Sequence, residues 1–190
     1  MKNLAYSLLM ISLFTFTACD NDDNPPVVPV DPDPVSENIN VTGMLTGVNN
    51  WTSDNIYVLN QKVVVDAGAT LNIECGTIIK GTAGTGSLAS ALVVARGGTL
   101  NANGTADCPI IMTSESDNIE VGQTAGTNLG INDRGLWGGL IVLGYAPSSF
   151  SGDVSEVQIE GIPADDTFGL YGGNDPSDNS GSITYVSIRH

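Results

Sequence analysis

Twenty-one acidic side chains and a single histidine set the chemistry open to this chain. Glycosidases work with a pair of carboxylates, one to protonate the leaving group and one to act on the sugar. Asp165, Asp166, Asp175 and Asp178 crowd one stretch near the carboxyl end and are the candidates for that work. Such a pair must face across a set distance, and solvated loop acids are the plainer expectation. The lone histidine, His190, ends the sequence and gives no basis for a Ser-His-Asp triad or a histidine metal site. Calcium fits the composition better. Asn174-Asp175-Pro176-Ser177-Asp178-Asn179-Ser180-Gly181 offers carboxylate, amide and carbonyl oxygens in a glycine-closed turn. Asp175, Asp178 and Asn179 are the candidate ligands for Ca²⁺. Their spacing is not that of an EF-hand, and a turn capped by its own side chains explains the same residues.

Aromatic side chains supply a second kind of site. Trp137 sits among glycines in Gly135-Leu136-Trp137-Gly138-Gly139, and Tyr145 and Tyr171 follow it. Together they are a candidate sugar-stacking surface; the alternative is that Trp137 covers an end or corner of the core. The glycines of Gly81-Thr82-Ala83-Gly84-Thr85-Gly86 lack the Lys-Ser/Thr of a phosphate loop and read as a turn.

The elements that must position these residues are short strands. Apolar residues come in β-branched runs such as Ile56-Tyr57-Val58-Leu59, Val63-Val64-Val65, Ile110-Ile111-Met112 and Leu140-Ile141-Val142, each bounded by Gly, Asn, Asp, Pro or Ser. Val64-Val65-Asp66-Ala67-Gly68-Ala69-Thr70-Leu71-Asn72 returns 29 residues later as Val93-Val94-Ala95-Arg96-Gly97-Gly98-Thr99-Leu100-Asn101. A repeat of this length means one unit stacked on itself. The expected fold is all-β, a right-handed parallel β-helix in which each coil buries its inner face against the next. Gly68 and Gly97 then occupy equivalent corners, Leu71 and Leu100 stack inward, and Asn72 and Asn101 can form a ladder.

Extending the alignment with a four-residue insertion sets Cys75 beside Cys108, within disulfide range. Two separate buried thiols or a zinc pair are the alternatives, and no histidine lies nearby to support zinc. Residues 114–135 and 145–181, rich in glycine and acids, are expected as long loops projecting from one side.

Residues 1–19 have the form of an export signal: Lys2, an apolar run from Leu4 to Phe16, then small residues before Cys19. The run is too short to span a bilayer as a helix. A small residue directly before cysteine resembles the bacterial lipobox, although Phe16 stands where leucine is usual. Cys19 is therefore the expected lipidation site, a tether to the outer membrane. Residues 20–40 carry six acids, five prolines and no base. Such a stretch reads as an extended, self-repelling spacer, and Asp20-Asn21-Asp22-Asp23 resembles a surface-export signal of Bacteroidetes lipoproteins. The remaining 41–190 are one domain's worth of chain. The net charge of −15 argues against nucleic acid and anionic lipid surfaces as partners, and favours cations or neutral polymers.

Several phrases resemble a largely uncharacterised family of Bacteroidetes surface lipoproteins with a pectin-lyase-like β-helix. They are Gly98-Thr99-Leu100-Asn101-Ala102-Asn103-Gly104-Thr105-Ala106, Pro109-Ile110-Ile111-Met112-Thr113-Ser114, Leu136-Trp137-Gly138-Gly139-Leu140-Ile141-Val142-Leu143-Gly144-Tyr145-Ala146-Pro147, Ile159-Glu160-Gly161-Ile162-Pro163 and Tyr171-Gly172-Gly173 leading to Asp178-Asn179-Ser180-Gly181. Members are usually longer, so the resemblance implies a β-helix that continues past Tyr185-Val186-Ser187-Ile188-Arg189-His190. The expected function is a lipid-anchored cell-surface scaffold or binding module for polysaccharide. The alternative is a polysaccharide lyase or glycoside hydrolase, with catalytic residues in the loops or beyond residue 190; that alternative rests on fold analogy.

Overall fold

A computed structural model describes residues 36–152 and 154–190. The expected export signal, Cys19 and most of the expected spacer lie outside the described residues. The first strand begins at Asn38, so the last three residues of the expected 20–40 spacer already belong to the domain.

Among the described residues eleven of thirteen short strands wind into a parallel β-helix with three strand faces per coil. The first coil comprises β1 (Asn38–Leu45) and β2 (Val48–Trp51), and the second β3 (Ile56–Val65) and β4 (Thr70–Ile73). β5 (Ile78–Gly81), β6 (Ala91–Val94) and β7 (Thr99–Asn103) make the third. β8 (Ile110–Ser114), β9 (Leu140–Val142) and β12 (Gly181–Thr184) make the fourth, and β13 (Val186–Ile188) opens a fifth. Within the fourth coil β10 (Val157–Gln158) and β11 (Leu170–Tyr171) form a separate antiparallel pair. β3 bends midway: Ile56–Leu59 pairs β5, while Lys62–Val65 pairs β6. One hydrogen-bonded sheet thereby supplies two faces, and β2, β4, β7 and β12 form the third.

The register follows the repeat. Thr70, Leu71 and Asn72 pair with Thr99, Leu100 and Asn101, and Val64 with Val93. Leu71 and Leu100 stack inward at 0% and 1% exposure, each contributing about 1.5–3 kcal/mol of burial. Gly68 and Gly97 turn equivalent corners at φ 77° and 79°, a backbone region that L side chains rarely adopt. Outside, Asn101 Nδ2 donates to Asn72 Oδ1 and Asn72 Nδ2 to Asn50 Oδ1, both at 2.9 Å. The interior core holds Leu59, Val63, Val65, Ile79, Leu92, Val94, Ile110 and Met112 with those leucines. Cys75 and Cys108 are joined by a disulfide between successive coils, with a Cα–Cα distance of 5.3 Å.

Two further apolar clusters lie on the outer side of the sheet, and they correct the expectation of long loops projecting from one side. Ile56, Ile78 and Ile111 are covered by Ile119 from the segment that follows β8. Val64, Ala91 and Val93 are covered by Leu143 and Ile162, with Ile159, Phe168 and Tyr171 packed alongside, from the segment between β9 and β12. Strands apolar on both sides need a cover on each. The long insertions supply it, one on each of two faces. Tyr185 forms the corner between β12 and β13 at φ 47°.

Candidate functional site

Outward-facing residues of β3 and β6 form the floor of a cleft. Lys62 pairs in register with Ala91, next to the corner where β3 bends. A cavity of about 310 Å³ lies over Ala91, Val93 and Ile141, walled by Gly86, Ser87 and Ala89 on one side and by Glu160–Pro163 and Asp166 on the other. A second, more open depression of about 800 Å³ is lined by Thr42, Asn60, Gln61, Thr82 and Thr85. The two meet at Lys62, and the loop 82–90 contributes to both.

Local structure explains how the far wall is held. Asp166 caps the short 3-10 helix Thr167–Gly169, its Oδ1 accepting from Phe168 N at 3.1 Å. Its other carboxylate oxygen pairs with Lys62 Nζ. The Lys62 ammonium also lies 5.7 Å from the centroid of the Phe168 ring, within cation–π range. Gln158 Nε2 donates to the carbonyl oxygens of Pro163 at 3.0 Å and Asp166 at 3.2 Å, fastening the loop from behind. Burial lowers the Lys62 pKa from its ordinary value; the Asp166 carboxylate acts in the opposite sense by favouring the charged amine. Glu160 stands exposed on the rim.

Other expected site residues fall elsewhere. Trp137 is 8% exposed and presents no stacking surface: its indole N–H donates to the Arg189 carbonyl at 2.8 Å, and a β-carbon on Gly81 would come within 2.6 Å of its side chain. Of its flanking glycines, Gly138 lies close against Ser90, while Gly135 and Gly139 take positive φ values of 70° and 79°. Tyr145 is 38% exposed, yet its ring lies under the Arg96 guanidinium at 4.9 Å. Arg96 also donates to Glu156 at 2.5 Å and to the Gly172 carbonyl at 2.9 Å. Tyr171 packs edge-on against Phe150 at 5.5 Å. These aromatics fasten the second insertion.

The calcium candidates do not converge on one point. Asp175 Oδ1 accepts from Ser177 N and Oγ, Asp178 Oδ2 from Tyr145 N, and Asn179 Oδ1 from Gly181 N. Their oxygens cap separate turns, and among the described residues no group of three or more His, Cys, Asp or Glu is placed to hold a metal. As for carboxylate pairing, Asp165 is exposed while Asp166 faces Lys62.

Sequence reasoning missed a buried polar cluster beneath the first insertion. Asp117, 2% exposed, accepts from Thr113 Oγ1 at 2.9 Å and Ile119 N at 3.0 Å. His190 Nε2 lies 3.8 Å from the same carboxylate, and its Nδ1 is 2.9 Å from the Asp133 carbonyl. The cluster's bonds are turned inward and hold the insertion. Lys62 was equally hidden, because only the bend in β3 brings it opposite Asp166.

The fold and cleft define a parallel β-helix in which the loop 82–90 and the second insertion enclose a groove on one sheet face. Residues 43–190 match the family described as "Pectate-lyase like beta helix domain", and the chain belongs to it. Comparison with curated proteins and with solved structures gives no match.

Proposed function

We propose that this chain is a glycan-binding β-helix module displayed at the cell surface, with the cleft around Lys62 as its binding site. The observation that carries the reading is the cleft itself. Its smaller part has an apolar floor, its larger part is lined by hydroxyl and amide groups, and one ion pair stands where they meet. Concave, largely apolar sites with a few placed polar groups are where small ligands bind. The lipobox-like Cys19 and the acidic, proline-rich spacer support a tether to the bacterial outer membrane. Replacing Cys19 by Ala is expected to release the protein from the membrane fraction; an unchanged distribution between fractions counts against the tether.

The binding test is affinity electrophoresis of the protein in gels containing polysaccharide. Retardation without shortening of the polymer is expected, and Lys62→Met together with Asp166→Asn should weaken it. Retardation that survives both substitutions would place the site elsewhere. A second reading, a polysaccharide lyase, draws on one observation: burial favours the neutral amine of Lys62, the form that could take a proton. It requires unsaturated products to appear from a uronate polymer, and their absence removes it.

A further inference from the structure

We infer that the cleft takes an uncharged saccharide rather than a uronate, and that Gln61 is a contact residue chosen for that ligand. The inference rests on the glycan-binding reading above and adds the ligand class.

The first observation is backbone conformation. Gln61 sits at φ 63°, in the left-handed region that L side chains rarely adopt. One coil earlier the chain has a positive φ at a glycine, Gly43, at φ 69°, which pairs with Val63. The two corners adjoin where the β1–β3 register shifts between Val41 and Gly43. A glycine would serve the fold better at position 61, yet a glutamine is there. No side-chain hydrogen bond of Gln61 is found among the described residues, and its backbone N–H reaches Thr82 Oγ1 at 3.5 Å. The free amide lines the larger depression. Local strain retained at a side chain with no internal hydrogen bond is a mark of function.

The second observation is charge. Lys62 is the only base lining either depression, and Asp166 pairs with it. Glu160 adds a second carboxylate on the rim, and the chain carries −15 overall. An entering uronate would have to compete with Asp166 for Lys62 while facing Glu160, and like charges oppose association. Hydroxyl groups meet no such penalty. Thr42, Thr82, Thr85 and the amide of Gln61 can both donate to and accept from them. The family's description refers to a lyase of pectate, a polyuronate; the charges of this cleft do not suit that polymer.

The test uses the full chain in affinity electrophoresis against polygalacturonate and against uncharged glucan, galactan and mannan. Gln61→Gly and Gln61→Ala are run beside the parent protein. At least one uncharged polymer should retard the protein and polygalacturonate should not. Both substitutions should weaken retardation about five- to tenfold, the loss expected for one or two neutral hydrogen bonds. Gln61→Gly should at the same time raise the urea midpoint, because glycine relieves the left-handed backbone. Loss of binding in a more stable protein cannot be ascribed to misfolding. Retardation by polygalacturonate overturns the inference while leaving glycan binding intact. Unchanged binding in both variants overturns the role of Gln61. No retardation by any polymer overturns the glycan-binding reading itself.

Discussion

The Lys80 ammonium donates to the backbone carbonyl of Asp117 at 2.7 Å, across 37 residues of sequence. Lys62 stands in the same relation to the other insertion through Asp166. Each lysine points outward from the sheet and fastens the segment that covers it, so this acidic chain spends its few bases on holding its own insertions. Lys80→Met keeps most of the apolar stem and loses the charge-assisted bond. It should cost about 1.5 kcal/mol, measured by urea unfolding, and should speed proteolysis within residues 115–139. A wild-type midpoint with unchanged proteolysis would show that the covering isoleucines suffice.

The disulfide between Cys75 and Cys108 closes a loop of 33 residues. Constraint of the unfolded chain by a loop of that size is worth roughly 3.5 kcal/mol. Cys75→Ser with Cys108→Ser should lower stability by about that amount in urea, and reductant should bring the parent protein to the same midpoint. Thiol titration of the unreduced, unfolded protein with Cys19 blocked should find no free group; two reactive thiols would refute the bond.

Asp175 is fully exposed and accepts from both Ser177 Oγ, at 2.7 Å, and Ser177 N, at 2.9 Å. These bonds favour the carboxylate and hold its pKa below the ordinary 3.8. A folded-state value below the unfolded one gives stabilisation that is present above the unfolded value and is lost as pH falls through the folded value. The Ser177 amide resonance should therefore shift with a midpoint below 3.8. Asp175→Asn retains an acceptor and should abolish the titration. A midpoint at or above the ordinary value would mean that the turn does not hold the carboxylate.

Much of the spine could be read from the residues, because coil stacking repeats side-chain chemistry at equivalent corners. The match of Gly68-Ala69-Thr70-Leu71-Asn72 to Gly97-Gly98-Thr99-Leu100-Asn101 carries the register of β4 and β7. The covers were not legible in the same way. Ile78-Ile79 puts one side chain on each side of a strand, but nothing local says that Ile78 will meet Ile119 rather than solvent. The insertions have no internal repeat and no period, so their glycines and acids suggested free loops. Trp137 left two readings open for a related reason: glycines beside an aromatic suggest access when read along the chain, whereas the folded chain buries the ring against Gly81. The cleft escaped notice because Lys62, Gln61 and Asp166 come together only through the bend in β3 and the return of the second insertion.

The spacing of the coils also bears on the order in which the domain assembles. The chain returns to the same face after a short path from Asn38 to Ile56 and from Ile56 to Ile78, a longer one from Ile78 to Ile111, and by far the longest from Ile110 to Val186. The entropy of closing a loop rises with its length, and contacts close in sequence form faster than distant ones. The early coils can therefore nucleate, and they present a finished template before the fourth coil closes. The fourth coil contains both insertions and supplies one wall of the cleft, Glu160–Pro163 and Asp166, while Thr42, Gln61 and the loop 82–90 come from earlier coils. A ligand seated in the cleft would touch both an early coil, through Lys62, and the late-closing wall, through Asp166, and would act as a clasp between them.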